Sequence, residues 1–437
     1  MATRMLCSMF DKVSESLRKT LKLDARYVLK GTVWIGIYQL LVASSNFLAS
    51  LAFANWIAPE AYGEYKYIFS VASFLNAFAP LGFGTAIVRY TSEGYTHVLK
   101  AGFRKIFVWS FGFFILTVAT GAYYIFRGNS GLGLPLLLVA CTYPIINSAT
   151  AYASHLIGQQ RFKESSLYAG AVSFAFSMVM IVGLLFTKSV LALAVINVFS
   201  NLALNLFVYA RTKDTDGKGK RLDDKEFVSY GLHQSAINFL NIAAAQIDKI
   251  LVFQFAGAAL LAVYVFAVAI PEQVKSLFKN TSTFILPRFA QRSLAEIRRG
   301  MPKYFLLFFI ATAAVSAAYA LVAPFLFGLF FKKYLDAVFL SQIYSIGLFT
   351  VAAILPQTAL QAKGLHKELY ISSLTSNIIQ IVLDVICISF WGLWGMAAAQ
   401  LVGRFANLVI LTALLYFAKN SGAGPKKIEF SPEAGQT

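Results

Sequence analysis

RTKDTDGKGKRLDDKEF (211–227) is the longest hydrophilic run inside a chain of 437 residues, and its position decides how the rest is organised. Six apolar segments precede it, at 32–57, 66–88, 106–126, 132–156, 165–186 and 190–210. Six follow it, at 232–256, 258–280, 304–327, 334–360, 369–390 and 392–418. Each approaches or exceeds the roughly 20 mostly apolar residues that cross a bilayer as a helix. Strands of a membrane barrel would run to about ten residues with strict alternation, and these segments are too long and too uniformly apolar for that. The expectation is an all-α integral membrane protein with twelve transmembrane helices. Composition agrees: 58% hydrophobic residues, 13% charged residues and a mean hydropathy of +0.65 exclude a soluble globular chain.

The predicted organisation is a basic cytoplasmic segment at 1–28, an N-terminal six-helix bundle at 29–210, the linker at 211–227, a C-terminal six-helix bundle at 228–418 and a cytoplasmic tail at 419–437. The lead lacks a short apolar core followed by a small-residue cleavage site, so the first apolar segment reads as a true span. Met5, Met9, Val13, Leu17 and Leu21 recur there at helical spacing, which suits a helix lying along the membrane as well as a solvated basic tail. Cys7, Cys141 and Cys387 fall in the lead and in two different spans, a pattern that suggests neither a disulfide nor a metal site.

A net charge of +18 would suggest nucleic acid in a soluble protein, but here it follows the loops. Of 38 Lys and Arg, 31 lie in the lead, the tail and the loops after even-numbered spans, against five (Lys66, Arg127, Lys188, Lys332 and Lys333) on the other side. Basic residues stay cytoplasmic, so both termini are expected inside, and no nucleic-acid partner is implied. Six spans per half bring each half back to its starting side, so the halves would be parallel repeats about an axis along the membrane normal. YIFSVA (67–72) and YVFAVA (264–269) are a weak echo of such a repeat. Pro80, Pro144, Pro271, Pro324 and Pro356 lie in or near spans, where the missing N–H permits a bend.

Setting aside residues at the span ends, among them Lys275 and Lys279, five charges fall within the spans: Asp248, Lys249, Glu272, Asp384 and Arg404; Lys275, at i+3, is the one basic neighbour that could neutralise Glu272. At the bilayer centre each costs about 2.5–3.5 kcal/mol unless paired, hydrated or neutralised, so they should face a bundle interior or an aqueous cavity. Helical spacing aligns Gln234, Asn238, Asn241, Ala245 and Asp248 on one face of the seventh span. Asn377, Gln380 and Asp384 share a face in the eleventh, and Gln400, Arg404 and Asn407 share one in the twelfth. Gln39, Ala43, Asn46 and Ser50 align in the first, and Asn197, Asn201 and Asn205 in the sixth, where plain helix packing explains such residues equally well.

At ~1.5 Å per residue, Asp248 and Arg404 lie roughly 12 and 16 Å from the outer ends of their spans, level enough to pair. That arrangement suits either an ion pair locking two helices or a carboxylate whose partner changes during a transport cycle. Lys249 is turned about 100° from Asp248 and is expected to reach along an interhelical seam toward outer headgroups. Asp248, Glu272 and Asp384 are the candidate ion-coupling residues. His97, His155, His233 and His366 read as ordinary residues near cytoplasmic helix ends. There is no P-loop, paired-cysteine pattern or nucleophile elbow, so an enzyme or an ATP-driven pump is not expected, and no cofactor is implied.

LKGTVWIGIYQLLVASSNFLASLAFANWIAPEAYGEYKYIFSVASF (29–74) resembles the start of polysaccharide and O-antigen flippases of the Wzx type. In those proteins a basic helix end, a first span, a Pro-Glu-x-Tyr-Gly-x-Tyr turn and a second span follow in that order, and here the turn is Pro59 to Tyr65. IDKILVFQFAGAALLAVYVFAVA (247–269) is similar to the family's Asp-basic-aliphatic segment, although Ala262 stands where glycine often precedes Val263 and Tyr264. GLWGMAAAQLVGR (392–404) looks like its last-span entry.

The resemblance implies the fold of the multidrug/oligosaccharidyl-lipid/polysaccharide (MOP) exporter superfamily, two six-helix bundles around a central cavity. It implies an undecaprenyl-pyrophosphate-linked oligosaccharide as substrate, moved from the cytoplasmic to the periplasmic leaflet of a bacterial inner membrane by alternating access. Membrane lipids, a polysaccharide polymerase and a chain-length regulator are the other partners it suggests, with coupling to H+ or Na+ left open. Such a cargo needs cations for phosphate and amides for sugar hydroxyls; the candidates are Arg404, Arg89 and Lys249 with Asn241, Asn377, Gln380, Gln400 and Asn46. Three acids against two bases within the spans do not make a strongly cationic lumen. A proton- or sodium-coupled exporter of cationic drugs in the same superfamily is therefore the alternative.

Overall fold

The computed structural model describes residues 25–212, 222–279 and 281–418. The expected interfacial segment, most of the linker and the tail lie outside the described residues. In hydrocarbon every backbone polar group has to be satisfied within the chain, and the described residues accordingly form helices and no strands. Nine of these helices are long and apolar enough to cross a membrane by length and composition, and a tenth candidate is a bent pair, Pro59–Phe78 with Phe83–Ser92. The protein is a multi-pass helical membrane protein.

The bent pair turns by 56° where Pro80 interrupts the helix, as the sequence suggests. Pro144, Pro271 and Pro324 instead lie inside continuous helices, together with Pro135, Pro287 and Pro302. The Pro59–Tyr65 stretch, expected as a turn, is the opening of helix Pro59–Leu75, with Pro59 in its first turn where no N–H is needed. The helical run His366–Phe417 breaks at Gly392, whose φ of 55° and ψ of −135° are not helical. An unbroken helix of that length would span about 78 Å at ~1.5 Å per residue. The chain instead doubles back: Ser376 Oγ donates to Asn407 Oδ1 at 2.9 Å and Gln400 Nε2 donates to Asp384 Oδ2 at 3.2 Å. Two antiparallel helices, 366–391 and 393–417, therefore form a hairpin.

The described residues divide into two compact units. The first holds those up to Val263 together with Phe327–Leu335; the second holds Tyr264–Leu326 and those from Asp336 on. In the first, Ala25–Trp56 packs on Phe162–Phe186, and Val190–Arg211 on Ser130–Ala149. Helix Asp224–Ala256 runs antiparallel along the bent pair. A Cβ at Gly63 would collide with the carbonyl of Ala258, and Ser235 Oγ accepts from the Gly82 N–H at 2.9 Å. Phe83, Ile87, Tyr90, Leu99, Ile106 and Phe227 form one buried cluster of this unit. The second unit has its own core, in which Ile297 and Met301 pack with Leu355, Leu360, Leu411 and Leu415. Leu321, Phe325 and Phe390 are mostly exposed, as hydrocarbon-facing side chains should be.

Candidate functional site: a basic cavity in the second unit

Arg404 projects from helix 393–417 and meets Glu272 of helix Ala258–Lys279, Nη2 donating to Oε1. Lys275, one turn further along, donates from Nζ to the same carboxylate oxygen at 3.3 Å. The guanidinium lies 5.8 Å from the centroid of the Tyr344 ring, which stands edge-on to Tyr264 at 5.8 Å. It also fills the space beside Gly347, where a Cβ would lie 3.1 Å from Nη1. The side chain of Arg404 is 15% exposed and that of Glu272 36%. A cavity of about 240 Å³ opens against this group, lined by Lys275, Arg404, Asn407, Gln357 and Thr350 with Val351, Ala353 and Ile354. Its polar walls supply two cations, two amides and a hydroxyl, the donors that suit an oxyanion.

Asp384 belongs to the hairpin and is fully buried. It accepts from Gln380 Nε2 at 2.7 Å and from Gln400 Nε2 at 3.2 and 3.3 Å. Gly403 leaves the space that Gln380 occupies, since a Cβ there would collide with Oε1. Asn377 is half-buried on the same helix. The hairpin thus gathers Gln380, Asp384 and Gln400, and Glu272 joins Arg404 from a different helix. Among the described residues no three His, Cys, Asp or Glu side chains come together as a metal site.

The remaining sequence candidates lie in the first unit. Asp248 is buried, and its Oδ1 accepts from the backbone N–H of Lys249 at 2.8 Å. The Lys249 ammonium does not reach away from Asp248 toward the outer headgroups. It folds back to Ala245 O at 3.3 Å, Gln246 Oε1 at 3.2 Å and Asp248 Oδ1 at 3.5 Å, because a flexible four-carbon stem spans a 100° offset within one turn. The acidic partner of Arg404 is Glu272, and the basic neighbour of Asp248 is Lys249. Arg89 donates from Nε to Glu93 Oε1 at 2.8 Å, and its guanidinium lies 4.8 Å from the ring centroid of Tyr230. Asn46 and Asn241 are exposed. His155 is buried, with Nδ1 3.2 Å from Thr91 Oγ1 and Nε2 2.9 Å from Gln159 Nε2.

Several polar residues escape the sequence reading. Gln357 and Thr350 line the cavity beside Lys275, the i+3 neighbour expected to neutralise Glu272, and Tyr344 backs Arg404. In the first unit Gln254 Nε2 donates to Tyr67 Oη at 2.6 Å and to Tyr124 Oη at 3.2 Å, while the Tyr67 ring stacks on Phe253 at 3.8 Å. One signal was available: Tyr67 and Tyr264 head the echoed hexapeptides, and both are buried.

The described residues form a polytopic helical protein whose fold is shared by solved transporters of the MOP superfamily. The inward-facing conformation of a multidrug resistance MATE family transporter of the MOP superfamily matches with a TM-score of 0.64 at 14% identity, over 89% of this chain and 100% of that one. The lipid II flippase MurJ in an inward closed conformation matches at 0.61 and 14%, over 89% and 87%. A MOP superfamily transporter from Pyrococcus furiosus, described as having a binding pocket of reverse polarity, matches at 0.54 and 15%, over 89% and 95%. No curated protein matches the chain. The chain belongs to the polysaccharide biosynthesis protein family, whose model matches residues 28–293.

Proposed function

We propose that the protein is a flippase for an undecaprenyl-pyrophosphate-linked oligosaccharide, the repeat unit of an O-antigen, capsule or exopolysaccharide, carried from the cytoplasmic to the periplasmic leaflet by alternating access. The observation that carries this reading is the cavity where Arg404 and Lys275 stand beside Asn407, Gln357 and Thr350. Counting charges by span gives an acidic excess, but Lys275 at the end of its helix turns the local balance to two cations against Glu272. A cationic wall suits a pyrophosphate, and membership of a polysaccharide biosynthesis family supports a sugar-bearing cargo. Drug-sized ligands occupy pockets of roughly 300–1,000 Å³, so a cavity of about 240 Å³ fits the charged headgroup and not a whole repeat unit. The rival, a cation exporter, needs a carboxylate without cationic partners at its binding cavity, whereas the carboxylate beside this cavity, Glu272, sits between two cations.

Twelve spans are part of the proposal. Nine apolar helices, the bent pair, the division of the hairpin at Gly392 and helix Ala25–Trp56 are what support that number. The distribution of Lys and Arg supports cytoplasmic termini. Asp248 and Asp384 are proposed for ion coupling, and Arg89, Lys249, Asn46, Asn241, Asn377, Gln380 and Gln400 for contacts along the path of the sugar chain.

The test is a deletion strain. Loss of the protein should abolish surface polysaccharide and strand undecaprenyl-linked repeat units on the cytoplasmic leaflet. Normal surface polymer with altered drug susceptibility would overturn the reading in favour of the exporter.

A further inference from the structure

We infer that Glu272 is a resident carboxylate standing in, in the unloaded protein, for the oxyanion of the cargo, and that loading displaces it from Arg404 and Lys275. The inference rests on the anion-binding reading of the cavity and adds how the empty site is held and released. Both cations that face the cavity converge on one Glu272 oxygen. An entering oxyanion that uses those cations comes close to a like charge, and like charges at such separations repel strongly in a partly dry site. Either the incoming group or Glu272 has to yield.

The geometry indicates which. Arg404 is the less exposed partner, and it is wedged between Gly347 and the ring of Tyr344. Glu272 is more than twice as exposed, at 36% against 15%. It also follows Pro271, which cannot donate to the preceding turn, so the helix is locally short of a hydrogen bond where the carboxylate is attached. The cation is therefore fixed and the carboxylate is the movable member. The pair also ties helix Ala258–Lys279 to helix 393–417, so displacement frees one helix from the other. Glu272 thereby acts as a positioning residue in the empty protein and as a latch that only an oxyanion opens.

The full-length protein in lipid nanodiscs is titrated calorimetrically with methylenediphosphonate and, separately, with glucuronate, which distinguish a pyrophosphate headgroup from an acidic sugar. Glu272→Gln should bind at least one of the two no less than about tenfold more tightly than wild type, and the anion that gains identifies the source. Arg404→Ala should lose that binding. Equal or weaker binding by Glu272→Gln overturns the inference while leaving the cavity an anion site. Failure of both wild type and Glu272→Gln to bind either anion overturns the anion site itself. Hydrogen exchange on the wild-type protein covers the case in which Glu272→Gln does not fold: amides at 268–276 should exchange faster when the anion is bound, and unchanged exchange overturns the latch.

Discussion

Asp384 has no exposed surface, and two carboxamides from opposite arms of the hairpin donate to it. Asp384→Ala would take this acceptor from both amides, leaving Gln380 Nε2 only the Ala399 carbonyl at 3.4 Å, and a donor orphaned away from water costs about 1–3 kcal/mol. Asp384→Asn keeps one carbonyl oxygen in place and should lose less. Thermal unfolding in detergent should rank the proteins wild type, Asn, Ala in falling midpoint; equal midpoints would mean that the amides find other partners. Asp248→Asn and Arg404→Ala should each lower surface polysaccharide several-fold while leaving the amount of protein in the membrane nearly unchanged. Full polymer in both would end the case for working charges. Helical periodicity made part of this legible, since Gln380 and Asp384 share a face by spacing alone, as do Gln400 and Arg404. It could not pair Glu272 with Arg404, because their contact spans 132 positions and depends on which helices meet. Lys275 was legible as the neighbour of Glu272, because an i, i+3 spacing on one helix brings the two together whichever helices meet.

At the scale of the element, the hairpin 366–417 is the part of the fold that a single residue most directly specifies. Gly392 takes φ 55° and ψ −135°, a conformation that a Cβ makes costly, by about 1–3 kcal/mol. Gly392→Ala should lower the unfolding midpoint measurably, and an unchanged midpoint would show that the turn can be remade without it. The register can be tested without relying on stability. Ser376 and Asn407 are hydrogen-bonded across the hairpin, whereas an unbroken helix would hold them about 46 Å apart at ~1.5 Å per residue. In a protein with Cys7, Cys141 and Cys387 replaced, Ser376→Cys with Asn407→Cys should form a disulfide under mild oxidation, read as a mobility shift after cleavage between the arms. No shift would refute the hairpin. The segment boundary was visible in the sequence, where the apolar run restarts at Gly392. The bend at Pro80 was visible too, but prolines inside otherwise continuous helices look the same in sequence, because neighbouring packing decides whether a missing N–H becomes a bend.

At the scale of the whole molecule, the asymmetry of basic residues is what sets orientation, because Lys and Arg resist translocation while acidic residues contribute little. With 31 of 38 basic residues assigned to one side, the bias is shared by the lead, the tail and every loop of that side, and no single loop carries it. Removing one or two charges should therefore leave the topology intact, whereas orientation itself can be read directly. In the cysteine-free background, single cysteines at Asn129, Ser189 and Lys332 should react with a membrane-impermeant maleimide in intact spheroplasts. Cysteines at Glu93, Lys163, Ser293 and Lys367 should react only after the membrane is opened. Because the helices between these positions alternate in direction, one misassigned span would invert the pattern from that point onward. An inversion beginning between Ser293 and Lys332 would place the error in helix Leu294–Phe330, while uniform inversion would leave the span count standing and reverse the side on which the basic cavity first meets its cargo.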